Sequence, residues 1–240
     1  MQSFSEALHE ALILLLRFDG ALREIILLSL QVSLTAVCIS ALIGLPAGAW
    51  LAVTQSRLRG VLIALVSTLM GLPPVVVGLI VYLLISNAGV LGPLQLLYTP
   101  AAMIIAQSIL VTPILIALTR ETLYGLNEEY RDQLTLLGVS TTTRLKTLLW
   151  EGRYGLLTAL LAGFGRAIAE VGAVIIVGGN INHVTRVMTT TIALETSRGN
   201  LALALGLGIV LVGIALLVNL LVLLLGGSFK YQSGHRRSLV

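Results

Sequence analysis

The stretch that decides the fold is GVLIALVSTLMGLPPVVVGLIVYLLISNAGVLGPLQLLYTPAAMIIAQSILVTPILIALT, residues 60–119, in which no Asp, Glu, Lys or Arg interrupts the run from Arg59 to Arg120. As one α-helix these 60 residues would be about 90 Å long. The hydrocarbon core of a bilayer is about 30 Å thick and is crossed by about 20 apolar residues. The stretch therefore crosses twice and folds back in between. Ser86-Asn87-Ala88-Gly89, Gly92-Pro93 and Thr99-Pro100 supply the turn.

The rest of the chain repeats the pattern. Residues 25–56, 171–185 and 199–229 are also free of charge. Spans are expected near 25–53, 61–85, 101–120, 155–178 and 202–226. They must be helices, because a lone strand in lipid leaves its backbone groups unpaired, and the alternation of a barrel is missing. Across 240 residues there are 15 Lys and Arg and 11 Asp and Glu, and the mean hydropathy is +0.99. So little charge excludes a disordered chain and an ordinary soluble enzyme. The single Cys38 excludes an internal disulfide and reads as a small buried apolar residue. The expected fold is an all-α integral membrane protein, a single transmembrane domain over residues 1–240.

Residues 1–20 do not read as a signal peptide, since Glu6 and Glu10 precede a short apolar stretch, Ala11 to Leu16. Leu8, Leu12, Leu15 and Leu16 share one helical face, which suggests an interfacial amphipathic helix. Orientation follows from Lys and Arg. Arg57, Arg59, Arg120, Arg131, Arg144, Lys146, Arg153, Lys230, Arg236 and Arg237 fall on one side of the five spans. Arg17, Arg23, Arg186 and Arg198 fall on the other. The positive-inside bias puts the first side in the cytoplasm, with the N-terminus outside and the C-terminus inside.

Residues 121–153 break the apolar pattern. They carry Glu121, Glu128, Glu129, Arg131, Asp132, Arg144, Lys146, Glu151 and Arg153, yet keep helical apolar spacing at Leu134, Leu137, Leu145, Leu148 and Leu149. Gly138-Val139-Ser140 interrupts that spacing, and Ser140 or Thr141 can cap a second helix. The reading is helix, tight turn, helix: a cytoplasmic knob that docks a soluble partner. The alternative is a plain solvated loop.

This knob resembles the signature of the membrane subunits of ABC importers: Glu-Ala-Ala, three residues, Gly, nine residues, Ile, one residue, Leu-Pro. Here Asp132-Gln133-Leu134 is followed after three residues by Gly138, after nine more by Leu148, then by Trp150-Glu151. Spacing and Gly are kept; the Ala pair and the Leu-Pro end are lost. Leu72-Pro73-Pro74-Val75-Val76-Val77-Gly78, Gly165-Arg166-Ala167-Ile168-Ala169-Glu170-Val171-Gly172-Ala173 and Gly178-Gly179-Asn180-Ile181 resemble the molybdate, sulfate and tungstate branch. Residues 185–196, TRVMTTTIALET, resemble the tungstate permeases. The resemblance implies a five-helix permease core with an extra N-terminal helix in a bacterial or archaeal inner membrane. It also implies a second copy of the chain, a cytoplasmic ATPase dimer that binds ATP and Mg, and an extracytoplasmic oxyanion-binding protein. Asp132, Gln133, Leu134, Gly138, Val139, Ser140, Thr141 and Leu148 would then couple to the ATPase.

The residues themselves say less about chemistry. No Gly-x-x-x-x-Gly-Lys-Ser/Thr is present, so energy from ATP must come from another chain. His9, His183 and His235 lie far apart in sequence, and no metal-ligand or catalytic set is visible. The chain is therefore expected to bind no metal, cofactor or nucleic acid and to catalyse nothing itself. Five helices enclose a hydrophilic path poorly, and a two-fold homodimer solves this economically. Pro73, Pro74 and Gly78 would bend the second span, either for packing or to line a pore. Gly44, Pro46 and Gly48 suit close helix packing. Arg166 and Glu170 are rare intramembrane charges and suggest a gate or an ATPase-side contact, or else a structural pair near the cytoplasmic interface. Arg before Glu is the weaker helical order, so each is expected to find a partner elsewhere. Asn180, Thr189 and Thr190 could present donors to a tetrahedral anion, or could cap and pack. A secondary transporter would need no ATPase and would favour inverted repeats, which are not found. A scaffold subunit without its own path is the third reading.

Overall fold

The computed structural model describes the backbone of residues 4–17 and 19–236, and the side chains of residues 5–16 and 19–221. Arg237 lies outside the described residues, as do the side chains of Arg17, Lys230 and Arg236, all counted in the charge bias above. No strand is present among the described residues. The helices are α1 (Phe4–Arg17), α2 (Gly20–Val53), α3 (Arg59–Met70), α4 (Pro74–Ile85), α5 (Pro100–Leu136), α6 (Thr141–Glu151), α7 (Arg153–Ile168), α8 (Gly172–Gly178), α9 (Met188–Arg198) and α10 (Leu201–Arg236).

Among the described residues, three stretches are long and apolar enough to cross a membrane: Gly20–Val53, Pro100–Leu136 and Leu201–Leu221. Two broken pairs, α3 with α4 bent by 95° and α7 with α8 bent by 57°, bring the number among the described residues to five where each pair counts as one span. The chemistry of the first break is local. α3 stops at Gly71, and Pro74 opens α4 as its first residue, where its missing N–H costs nothing. Pro46 and Pro113, by contrast, sit inside α2 and α5.

The helix that holds the third expected span does not end at Arg120. At 37 residues α5 is about 55 Å long, well beyond the hydrocarbon thickness. The first helix of the expected knob is thus the continuation of the span itself. Nothing between Arg120 and Leu136 breaks a helix: the segment has no Pro, and its one Gly, Gly125, is accommodated in the rod.

The chain divides into two compact units. The first contains residues 1–39, 72–111 and 164–214. Its core is Val32, Val77, Val81, Ile85, Ala102, Met103, Ala106, Leu110, Ala173, Val174, Val177 and Val187. Small residues let the backbones approach: a Cβ on Gly78 would lie 2.8 Å from the Ala173 Cα. Within this unit α1 buries Ala7 and Ala11, and a Cβ on Gly206 of α10 would lie 3.7 Å from the Ala11 carbonyl oxygen. Leu12 and Leu16 remain exposed, so the leucine face of α1 is its outer face. Cys38 is exposed, not buried: it follows Leu34 and precedes Leu42 on the open face of α2.

The second unit contains residues 40–71, 112–163 and 215–240. Leu123 and Leu148, both fully buried, centre its core with Ala49, Ala52 and Leu156. Gly44 and Gly48 are close-packing positions. A Cβ on Gly44 would meet Leu115 Cβ at 2.8 Å, and one on Gly48 would meet the Ile116 carbonyl oxygen at 2.6 Å. Arg59 closes the end of α2, with Nε donating to the Leu51 carbonyl at 3.2 Å and the guanidinium stacked 4.8 Å over Tyr124.

Candidate functional sites

The elbow between α5 and α6 is built by backbone rules. Gly138 has φ +61°, the left-handed region that glycine enters without penalty. Its N–H donates to the Thr135 carbonyl at 3.1 Å, and Val139 N–H donates to the Leu134 carbonyl at 3.4 Å. This is a Schellman ending, which satisfies two of the last open carbonyls of α5. Two residues on, Ser140 caps α6: its Oγ accepts from Thr143 N–H at 3.3 Å. Of the two capping residues expected, Ser140 is the one used.

Asp132, Gln133, Gly138, Ser140 and Thr141 are exposed around this elbow, Leu134 and Val139 are half-buried, and Leu148 is fully buried. Leu136 and Leu137 are 88% and 74% exposed, and Trp150 is also exposed. Leu137 therefore does not pack inward. The turn begins there, and it carries both leucines to the outside. The elbow thus carries an exposed apolar tip between charged helices. The sequence pattern places the elbow, but helical spacing alone does not say which leucines the turn leaves outside.

The second region surrounds the break between α7 and α8. Glu170 lies past the end of α7 and is 5% exposed. Its Oε2 is 3.2 Å from Arg166 Nη2, and its Oε1 accepts from Ala173 N–H at the start of α8 at 3.3 Å. Its main-chain carbonyl accepts from the Thr189 hydroxyl at 2.8 Å. Arg166 and Glu170 thus pair with each other, against the expectation of separate partners. The order rule applies within a continuous helix, and the chain has left the helix at Ile168. Gln107, missed in the sequence, donates from Nε2 to the Ala167 carbonyl at 2.9 Å and is 4% exposed. A lone amide in a long apolar helix carries no motif that would single it out.

Pro73 caps α4 from an extended conformation, Pro74 starts it, and Gly78 packs against Ala173. These three shape the α4–α8 contact. Asn180 and Thr190 bond reciprocally. The Thr190 hydroxyl donates to Asn180 Oδ1 at 2.9 Å, and Asn180 Nδ2 donates to the Thr190 carbonyl at 3.4 Å. Thr190 Oγ1 also accepts from Val187 N–H at 3.2 Å. Thr189 and Thr190 are 7% and 0% exposed. Their hydroxyls are hydrogen-bonded inside the chain and fasten α9 in place. Asn180 and His183 have φ of +52° and +59°, and His183 Nδ1 lies 2.7 Å from Glu24 Oε2. Among the described residues no group of three His, Cys, Asp or Glu could hold a metal ion.

Residues 44–230 match the family described as "Binding-protein-dependent transport system inner membrane component". The chain is 41% identical over 198 residues to a probable anion ABC transporter permease protein of Haloferax volcanii, covering 80% of this chain and 85% of that one. It is 39% identical over 219 residues to the tungstate uptake system permease protein TupB of Peptoclostridium acidaminophilum, covering 91% and 96%. With the TupB protein of Campylobacter jejuni it shares 38% identity over 165 residues, 69% of each chain.

Proposed function

The chain belongs to the family of binding-protein-dependent transport system inner membrane components, and from that premise we propose that it is the permease subunit of an ATP-driven importer of tungstate. Two copies would form the path. A separate cytoplasmic ATPase dimer, which holds ATP and Mg, would drive it, and an extracytoplasmic binding protein would deliver the oxyanion. The N-terminus would lie outside and the C-terminus in the cytoplasm, in line with the ten-to-four bias of Lys and Arg. The likeness to two tungstate uptake permeases over most of the chain supports the substrate.

The observation that carries the mechanism is the elbow at Gly138. It is closed by a Schellman ending and a serine cap, and it presents Leu136 and Leu137 outward. Asp132, Gln133, Leu134, Val139, Ser140, Thr141 and Leu148 shape or support it. ATP would close the ATPase dimer, the two elbows would follow, and the permease helices would move between inward-open and outward-open states.

Pro73, Pro74, Gly78, Arg166, Glu170, Asn180, Thr189 and Thr190 would form the gate. Its parts act by shape and by a neutralised charge pair. Glu170 offsets the Arg166 charge, so the pair does not trap a dianion, as a path that must release its cargo requires.

The test is to purify the chain with its ATPase, place the complex in liposomes, and follow ATP hydrolysis with binding protein loaded with tungstate, molybdate or sulfate. The expected result is stimulation by tungstate at a far lower concentration than by molybdate. Stimulation by molybdate or sulfate in its place would change the substrate and keep the mechanism. Unchanged stimulation in Gly138→Trp would remove the elbow from the mechanism.

A further inference from the structure

α6 has 11 residues, too few to be stable alone. Leu145, Leu148 and Leu149 pack it onto Leu123 and its neighbours. The joint with α7 is tight as well, since a Cβ on Gly152 would come within 2.6 Å of Leu123 Cδ2. These contacts are apolar and non-directional, and they concentrate toward the far end of α6. At the near end, beside the elbow, Thr141, Thr142 and Thr143 are exposed. There Arg144 reaches back across the turn. Its Nε donates to Asn127 Oδ1 at 2.7 Å, and Asn127 is 6% exposed on α5.

The mechanical meaning follows from Gly138. Nothing lies within 4 Å of where its Cβ would be, so no packed side chain braces the turn from that side. A turn held by its own backbone bonds passes less torque from α6 to α5 than one that a directional side-chain bond also braces. A bond between a point on α6 and a point on α5 closes a triangle with the elbow as its apex, and a triangle cannot flex without breaking a side. The bond is short and charge-assisted, and it is directional where the leucine contacts can slide.

We propose that Asn127 and Arg144 are a positioning pair that makes α5 and α6 move as one body, so that force applied at the elbow reaches the spanning part of α5. This rests on the reading that the elbow docks an ATPase. The pair touches neither nucleotide nor oxyanion in that scheme; it acts through α5.

The experiment uses the whole complex of permease, ATPase and binding protein in proteoliposomes. It measures tungstate carried per ATP hydrolysed, basal hydrolysis without binding protein, and co-purification of the ATPase. Asn127→Leu and Arg144→Met should assemble and keep basal hydrolysis, while tungstate carried per ATP falls about tenfold, the scale of one charge-assisted hydrogen bond. Asn127→Asp keeps an acceptor for Arg144 and should carry tungstate as the unaltered chain does. Arg144 is only half-buried, so Arg144→Met gives a readable result even where Asn127→Leu fails to fold. An unchanged ratio in Arg144→Met, or an Asn127→Asp as impaired as Asn127→Leu, would overturn the proposal and leave the bond a packing detail. Gly138→Trp in the same preparation separates the two layers. If it leaves ATPase binding and stimulation intact, the docking reading itself has failed.

Discussion

Gly78 offers a sharp test of how α4 meets α8. A Cβ placed there would sit 2.8 Å from the Ala173 Cα and 3.1 Å from the Ala173 carbonyl oxygen. Ordinary contact begins at 3.4 Å, so α8 must retreat by 3.4 − 2.8 = 0.6 Å. The obstruction is backbone, and no rotamer change relieves it. Overpacking of this kind costs about 1–3 kcal/mol. Gly78 lies inside α4, where alanine returns about 1 kcal/mol of helix propensity. The net loss for Gly78→Ala is then about 1 kcal/mol, a fall of about 2–4 °C in melting temperature on the scale of soluble domains of this size.

Gly178→Ala is the internal control. Its Cβ would meet Met103 Cγ and Sδ at 3.0 Å, the flexible part of a side chain that can turn away. It should melt within about 1 °C of the unaltered chain. Gly78→Leu should fall further than Gly78→Ala. Ala173→Gly should not rescue either variant, because the clash is with Cα and oxygen. The assay is thermal melting of the purified permease in detergent, followed by its tryptophan fluorescence. Gly78→Ala melting at or above Gly178→Ala would refute the backbone contact and the close α4–α8 packing built on it.

Other expectations follow from single features. At Gly138, the left-handed backbone costs about 1–2 kcal/mol for a residue with a Cβ and less for Asn. Transport should rank Gly above Asn, then Ala, then Val, and equal activity in all four would show that the elbow's conformation does not matter. Thr190→Val removes the bond to Asn180 and the acceptor for Val187 N–H, costing about 1–3 kcal/mol in detergent melting, and Thr190→Ser should restore most of it. Glu170→Gln keeps an acceptor for Ala173 N–H but leaves the Arg166 charge unbalanced. Half-saturation by tungstate should then fall about tenfold together with the maximal uptake rate; an unchanged half-saturation would take Arg166 off the path.

How far the sequence could be read depended on whether a residue answers to its own backbone or to distant neighbours. Gly138 and Ser140 were legible because a left-handed turn and a helix cap are local demands with few residues that meet them. Gly44 and Gly48 were legible because small residues in an apolar helix have one common use. Arg166 and Glu170 were found as charges in an apolar span, but their pairing depended on where α7 ends, which the charges do not encode. Thr189 and Thr190 were found as hydroxyls, yet which way a hydroxyl turns is decided by residues such as Glu170 and Asn180 elsewhere in the chain. Gln107 and Asn127 left no trace, since a single amide in a long helix gains meaning only from the carbonyl or guanidinium that meets it. The exposed Cys38 was misread for the same reason: an apolar run does not say which of its faces is covered.

The most direct measurement of the central claim is tungstate uptake into proteoliposomes made with and without the ATPase, with the binding protein outside and ATP inside the vesicles. The account predicts accumulation against a gradient only when permease, ATPase, binding protein and ATP are all present, and its loss in Gly138→Trp. Equal tungstate flux through the permease alone, without ATPase or ATP, would contradict it.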